Sequence, residues 1–300
     1  MKVIWDQIVQ TILLSQESYM DVIIMKYNFA DFKPVSIPMD LNIQLSHTQT
    51  LKSVMEITHM KHIPYWPAIG SLMHFAVSTQ PDIAFTVSTV AQFSMDPGLL
   101  HWEAMKWIYR YLIGTKKLAL TFSAGKCGLE GFTDVDRVSQ EHRHAITGYA
   151  YILDGGAVSW VLKKQELITL LTTEAEYVAA THATKEGIWL CHLIREVFHP
   201  LSHPTPLYSD NQSAITLTKD GSFHTCTKHI DIHYHFICFA VDNHTFHLIY
   251  CPTDSMVTDT LTKALPSIKA KHFATSLGLH TIWGGVLEVP ISNVVYVMLI

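Results

Sequence analysis

The sequence predicts an α/β chain, with a mixed sheet flanked by helices over residues 129–279 and a mostly helical region over 1–125 before it. Three observations carry this. Apolar or aromatic runs at 129–134, 146–153 and 157–162 follow one another across polar or Gly-containing connections, as antiparallel neighbours do. From 173 onward strand-like and helix-like segments alternate, the pattern of parallel pairing through crossovers. Ahead of both, apolar residues between 63 and 112 recur at helical spacing.

In order, residues 1–30 read as a strand or turn followed by a helix, and 32–60, with Pro34 and Pro38 and few aromatics, as a loop or linker. A helix spans Ala68 to Val77. Pro81 opens the next, at a first-turn position where a missing N–H costs little, with Asp82 favoured beside it by the helix dipole. A third helix covers 101–112 after the Asp96-Pro97-Gly98 turn, and a strand covers 118–122. After the three sheet runs come a strand-like stretch at 167–171 and a long helix from 173 to about 197. Then follow a strand (206–209), two helices (211–218 and 228–241), a strand (245–250) and a helix (255–265). Residues 280–300 receive no assignment.

Composition excludes several classes of function. A 48% hydrophobic, 16% charged chain builds a core, so disorder as a whole-chain state is ruled out. A net charge of −5 gives no global basic field to attract nucleic acid, so such contacts must be local and metal-assisted. Five scattered cysteines without a Cys-x-x-Cys pair read as reduced thiols of an intracellular protein, cytoplasmic or nuclear. Asp6 interrupts any signal-peptide core, which argues against secretion. No apolar run reaches membrane-spanning length, so no membrane partner is expected.

The chemistry centres on Leu170 to Ala183, where an apolar run meets a Thr pair and then a helix carrying Glu174 and Glu176. An acid on the first turns of a helix just past a strand can face the sheet edge where other strands deliver theirs. Phe132-Thr133-Asp134, with Asp136 behind it, and Leu207-Tyr208-Ser209-Asp210 each end an apolar or aromatic run in Asp, and Val257-Thr258-Asp259 lies on the last helix. Four converging carboxylates suit hard divalent cations, a pair of which can drive in-line phosphodiester hydrolysis. A single acid at a strand or helix end is more often a solvated cap.

The order Thr-Asp, Ser/Thr-x-Glu-x-Glu-Tyr, Ser-Asp-Asn-Gln, Asp-x-Leu-Thr-Lys resembles the ribonuclease H domain of copia-type (pseudovirus) retrotransposon Gag-Pol polyproteins. Ile146-Thr147-Gly148-Tyr149, Ala157-Val158-Ser159-Trp160, Lys163-Lys164-Gln165, the phrase from Thr227 to Ile232 and Tyr250-Cys251-Pro252-Thr253 extend the resemblance. Further upstream, Ile69-Gly70-Ser71-Leu72-Met73, Pro81-Asp82-Ile83, His101-Trp102 and Arg110-Tyr111-Leu112 are similar to the end of the reverse transcriptase, after its palm. The palm's paired Asp is absent, so polymerase activity is not expected. The resemblance implies a ribonuclease H-like mixed five-stranded sheet preceded by a reverse-transcriptase remnant. It implies Asp134, Glu176, Asp210 and Asp259 as catalytic metal ligands for two Mg2+ (or Mn2+) ions, with no small-molecule cofactor. The implied substrate is an RNA–DNA hybrid, and other parts of a retroelement polyprotein are implied partners. Asn211, Gln212, Lys163, Lys164 and Lys228 are its implied substrate contacts, and Lys263 is a further phosphate-contact candidate.

Rival readings stand beside these. Glu174 competes with Glu176, which is preferred because Tyr-Val-Ala follows it, and Asp136 competes with Asp134. Asn211 and Gln212 also suit helix capping. His224, Cys226, His229, His233, His235 and Cys238 fall within fifteen residues and raise structural zinc, although no closed tetrahedral set is evident. Gln80, Trp107, Cys226 and Cys238 stand where the family pattern is basic, which removes phosphate contacts. The alternative function is therefore a catalytically silent remnant that at most binds nucleic acid or protein.

Overall fold

The computed structural model describes residues 1–49, 53–124, 128–136, 145–165, 172–197, 203–219, 231–281 and 287–289. Its chain divides into two compact units, one built from Met1–Phe122 with Ala264–Ile291, the other centred on Ser123–Lys263.

The first unit opens with a hairpin, β1 (Lys2–Asp6) and β2 (Thr11–Ser15), and continues through α1 (Glu17–Lys26), α2 (Val54–Lys61), α3 (Tyr65–Ser78), α4 (Ala84–Ala91) and α5 (Leu99–Thr115) to β3 (Leu118–Ser123). In α3 the buried residues Ala68, Ile69, Leu72, Phe75 and Ala76 recur at helical spacing, and this stripe packs with Met105, Ile108, Tyr109 and Leu112 of α5 in one core. Tyr109 reaches across to donate its hydroxyl to the Ala68 carbonyl at 2.9 Å, and Tyr65 does the same to Val90 at 2.9 Å. A 3-10 turn, Pro81–Ile83, precedes α4 where a single helix was expected. Trp107 is half-buried; its ring nitrogen donates to the Ile37 carbonyl at 2.9 Å and Arg110 lies over its face at 5.0 Å.

Residues 32–60, expected to be a loop, contain α2. Ser53 Oγ accepts from the Glu56 N–H at 3.1 Å, and Glu56 Oε2 accepts from the Ser53 N–H at 3.0 Å, a reciprocal cap that satisfies two otherwise unpaired donors. Since α2 buries only Met60, this cap carries much of its stability. Ser53→Ala is expected to fray α2 by about 1 kcal/mol, seen as faster amide exchange over 54–61 while α3 and α5 stay protected.

The second unit holds β4 (Leu129–Asp136), β5 (Ile146–Leu153), β6 (Gly156–Lys164), α6 (Thr172–Val197), β7 (Thr205–Ser209), α7 (Gln212–Lys219), α8 (Asp231–Asp242), β8 (Phe246–Tyr250) and α9 (Asp259–Thr262). Its five strands run in the order β6-β5-β4-β7-β8, antiparallel on the β5 side of β4 and parallel from β4 through β8. This is the expected ribonuclease H-like mixed sheet flanked by helices. Tyr177, Ala180, Ala183, Leu190 and Ile194 of α6 pack with Tyr151, Leu207, Ile237 and Phe246 in one core. The helix expected at 255–265 shrinks to a 3-10 turn at Thr253–Ser255 and the single turn of α9. Lys263 is already extended (φ −149°, ψ 160°), and Pro266 disfavours helical geometry at the residue before it. The strand-like run at 167–171 lies outside the described residues.

The chain then returns to the first unit with α10 (Ser267–Ser276), β9 (Leu279–Thr281) and β10 (Leu287–Val289). β9 pairs antiparallel with β3 and β10 with β1, completing a sheet ordered β10-β1-β2-β3-β9. The helical region thus carries a sheet of its own, with strands drawn from a tail that had no sequence assignment.

Candidate metal centre

The centre begins with strand register. β4 is the middle strand, and its Gly131 and Phe132 lie beside Leu207 and Tyr208 of the parallel strand β7. Two residues further on come Asp134, within β4, and Asp210, just past the end of β7, so parallel pairing delivers both acids to the same sheet end. Glu176 arrives from α6, which is tied to the sheet by Gln165: its amide donates to the Ala175 carbonyl at 2.8 Å and to Thr147 Oγ1 at 2.9 Å. Asp134, Glu176 and Asp210 each offer a carboxylate oxygen within 4.8 Å of the others.

Hydroxyl groups fix two of these carboxylates. Thr262 donates to Asp134 Oδ2 at 2.6 Å, and Thr253 donates to Asp210 Oδ2 at 3.0 Å. Thr262 can come so close because β5 carries Gly148 opposite Asp134; a Cβ there would lie 2.7 Å from Thr262 Cγ2 and 3.2 Å from Leu261 Cβ. A side chain at 148 would push α9 off the sheet, so Gly148→Ala is expected to loosen the Thr262–Asp134 contact and lower any activity that depends on it.

Burial sets the electrostatics. Asp134 and Glu176 are 3% and 5% exposed, whereas Asp210 is half-buried. Loss of water pushes the Glu176 carboxyl up to about 9, reinforced by the charges of Asp134 and Asp210 and opposed by Lys263. Burial likewise raises Asp134 to about 6, against the opposing Thr262 hydrogen bond. Among the described residues Glu176 Oε2 is buried without a hydrogen-bond partner, an arrangement that costs free energy unless a ligand completes it. An all-carboxylate set with one unsatisfied buried oxygen fits a hard divalent cation.

Asp259 is fully buried at the start of α9 and lies outside the three-carboxylate cluster; Lys263 Nζ sits 2.7 Å from its Oδ1. Neither Asp136 nor Glu174 belongs to the cluster, although Glu174 is buried. Asn211 caps α7, its Oδ1 accepting from the Ala214 N–H at 3.0 Å, and Gln212 is exposed on the same helix's first turn. Lys163 and Lys164 are exposed at the end of β6; because Leu162 pairs with Gly148 and Gly148 with Asp134, they occupy the acid-bearing end of the sheet. Lys228, and the His224, Cys226 and His229 of the zinc alternative, lie outside the described residues. Sequence reasoning missed Thr262, Thr253 and Gln165 as positioning groups, although all three belong to quoted phrases: Asp-x-Leu-Thr-Lys, Tyr-Cys-Pro-Thr and Lys-Lys-Gln. Among the described residues no helix is long and apolar enough to cross a membrane.

No family model matches the chain. It is 39% identical over 283 residues to the retrovirus-related Pol polyprotein from transposon TNT 1-94 of Nicotiana tabacum, a match covering 94% of this chain and 21% of that protein. The corresponding polyprotein from transposon RE2 of Arabidopsis thaliana is 32% identical over 285 residues, or 93% of this chain and 19% of the relative. The chain therefore spans about a fifth of the length of these relatives. Secreted RxLR effector protein 161 of Plasmopara viticola is 43% identical over 133 residues, covering 44% of this chain and 94% of that protein. A solved foamy viral protease-reverse transcriptase in complex with double-stranded DNA overlaps 72% of this chain and 38% of its own at 12% identity and a TM-score of 0.42, too loose to bear on the site. With its ordered acidic phrases, its mixed sheet and transposon polyprotein matches along nearly its whole length, the chain belongs to the copia-type retrotransposon Gag-Pol polyproteins, within which it corresponds to the end of the reverse transcriptase and the ribonuclease H domain.

Proposed function

We propose that this chain is a retroelement ribonuclease H that hydrolyses the RNA strand of an RNA–DNA hybrid internally, using two Mg2+ or Mn2+ ions. The observation that carries this is the gathering of Asp134, Glu176 and Asp210 from three separate elements, with a buried Glu176 oxygen that has no hydrogen-bond partner among the described residues. A solvated cap would be neither buried nor clustered, so the geometry favours a working site over a silent remnant. In the proposed assignment Asp134, Glu176, Asp210 and Asp259 would together hold the two ions. Bound there, the cations would supply a nucleophilic water at neutral pH and charge stabilisation for the leaving 3′ oxygen.

The protein's own part is positioning and charge. Thr262 and Thr253 orient the Asp134 and Asp210 carboxylates. Asn211 and Gln212 are assigned to the 2′-hydroxyls that distinguish RNA, and Lys163, Lys164 and Lys228 to backbone phosphates. We assign this function to the part of the expected 129–279 domain that lies in the second unit, 129–263, with 1–125 as the reverse-transcriptase remnant, an intracellular setting, and the remainder of a polyprotein as partner.

The test is cleavage of a labelled RNA–DNA hybrid in Mg2+, beside Asp210→Asn and a duplex-DNA substrate. RNA cleavage that is lost in the variant and absent on duplex DNA supports the reading; a folded chain inert in both Mg2+ and Mn2+ overturns it.

A pH dependence follows from Glu176. Its carboxyl titrates near 4.5 when unperturbed and near 9 in the fold, so its ionisation opposes folding. That contribution to metal-free stability is full below about pH 4.5 and is lost as pH rises through 9. A bound cation must displace the proton, so the melting-temperature gain from Mg2+ is expected to increase from pH 6 to pH 9, measured by calorimetry with and without chelator.

A further inference from the structure

The five residues from Asp259 to Lys263 bring a carboxylate, a hydroxyl and an ammonium to the edge of the acid cluster within a single helical turn and the residue after it. The hydroxyl, on Thr262, holds Asp134 at 2.6 Å. The ammonium, on Lys263, lies 2.7 Å from Asp259 Oδ1. Asp259 is fully buried, while the Lys263 side chain keeps 38% of its surface in water. A buried carboxylate is stable only with a counter-charge or a full set of donors, and here the counter-charge comes from a flexible stem with an open route to solvent. The field of the same ammonium also reaches Asp134 and Glu176.

We infer that Lys263 is the resident counter-cation of this centre, occupying the charge position at Asp259 that a divalent ion must take, so that metal affinity there is set by competition with the protein's own ammonium. This rests on the ribonuclease H reading and adds a determinant of metal occupancy to it. A divalent ion engaging Asp259 must displace a contact already 2.7 Å long, and the two cations repel. Lys263 has somewhere to go: its extended backbone and half-exposed stem let the head move into water as the ion enters. Lys263 is thus a positioning residue, stabilising the metal-free fold and raising the metal concentration needed to load the site.

The experiment is Mn2+ titration of the full chain, followed by calorimetry and by the melting temperature rather than by cleavage. Lys263→Met, which keeps the stem and removes the charge, is expected to tighten Mn2+ binding about tenfold, the order of effect expected of a unit charge a few ångströms from the ion. It should also lower the melting temperature in chelator, because Asp259 loses its counter-ion. Lys263→Arg keeps the charge and is expected to bind Mn2+ like the parent; it also serves if the Met variant is poorly folded, since tightening in Arg would overturn the inference. Lys185→Met, on α6 and over the Phe236 ring, makes the same net-charge change away from these acids and should shift affinity less than twofold. In an Asp259→Asn background the gain from Lys263→Met should vanish. Parent-like binding by Lys263→Met, or a gain that survives Asp259→Asn, overturns the inference while leaving the nuclease reading intact. Absence of Mn2+ binding in the parent and every variant overturns both.

Discussion

Replacing Glu176 with Gln is expected to abolish hybrid cleavage, by about 10³-fold or more if the residue holds a cation, while making the metal-free protein more stable. The two effects share one cause. At pH 7 the metal-free fold keeps this carboxyl protonated, at about 9 in the fold against 4.5 unperturbed, and so works against the unfolded chain's preference for the ionised form. Each unit of such a shift is about 1.4 kcal/mol, and only the span between the unfolded value and the ambient pH counts. A buried amide retains part of the desolvation cost, so a net gain of ~1–3 kcal/mol is expected at pH 7.5 in chelator, shrinking toward zero near pH 5. Thermal melts at the two pH values check the sign, and hybrid cleavage checks the loss. A Gln variant less stable than the parent at pH 7.5 would show that Glu176 is held by interactions other than those it awaits from a cation.

Gly187→Ala should destabilise the second unit severely, although it replaces a poor helix former with the best one. Propensity alone favours Ala in the middle of α6 by ~1 kcal/mol. Against that, the added Cβ would lie 2.2 Å from the Tyr151 hydroxyl and 2.5 Å from Phe246 Cζ. Neither ring can yield: both are essentially fully buried, and the Tyr151 hydroxyl is anchored to the Ala183 carbonyl at 2.7 Å. Overpacking at so tight a point costs about 3 kcal/mol or more, which outweighs propensity and leaves a net loss of ~2 kcal/mol. Denaturant melts of the variant measure this, and adding Tyr151→Phe, which removes the oxygen nearest the new methyl, should restore part of the loss.

The strands and long helices of the second unit were legible because their periodicity is strong and their caps and turns agree with it. Residues 146–153, expected as a strand, form β5 at those bounds, and the helix expected from 173 begins at Thr172. Legibility failed where tertiary pairing rather than local pattern decides. β9 and β10 are three residues each, too short for an alternation to register, and exist because β3 and β1 offer free edges. α2 was different, since its Ser-x-x-Glu cap was readable and was outweighed by the prolines upstream. Of the expected site, the three clustered acids follow from strand ends and a helix start, which sequence can place. Asp259's ion pair does not, because the i, i+4 spacing to Lys263 becomes meaningful only once α9 is known to stop at Thr262 and release the lysine.

Because the first unit leaves off at Phe122 and resumes at Ala264, its sheet is assembled from segments that flank the second unit in sequence. During synthesis the residues of the β6-to-β8 sheet and α9 have all emerged before β9 and β10 exist, so the second unit can fold while β1 and β3 still wait with bare edges. Premature stop codons are consequently unequal in their effects. One falling soon after codon 263 spares every proposed metal ligand yet strips two strands of their partners, and the expected product is a chain lost to edge-to-edge aggregation rather than to a damaged active centre.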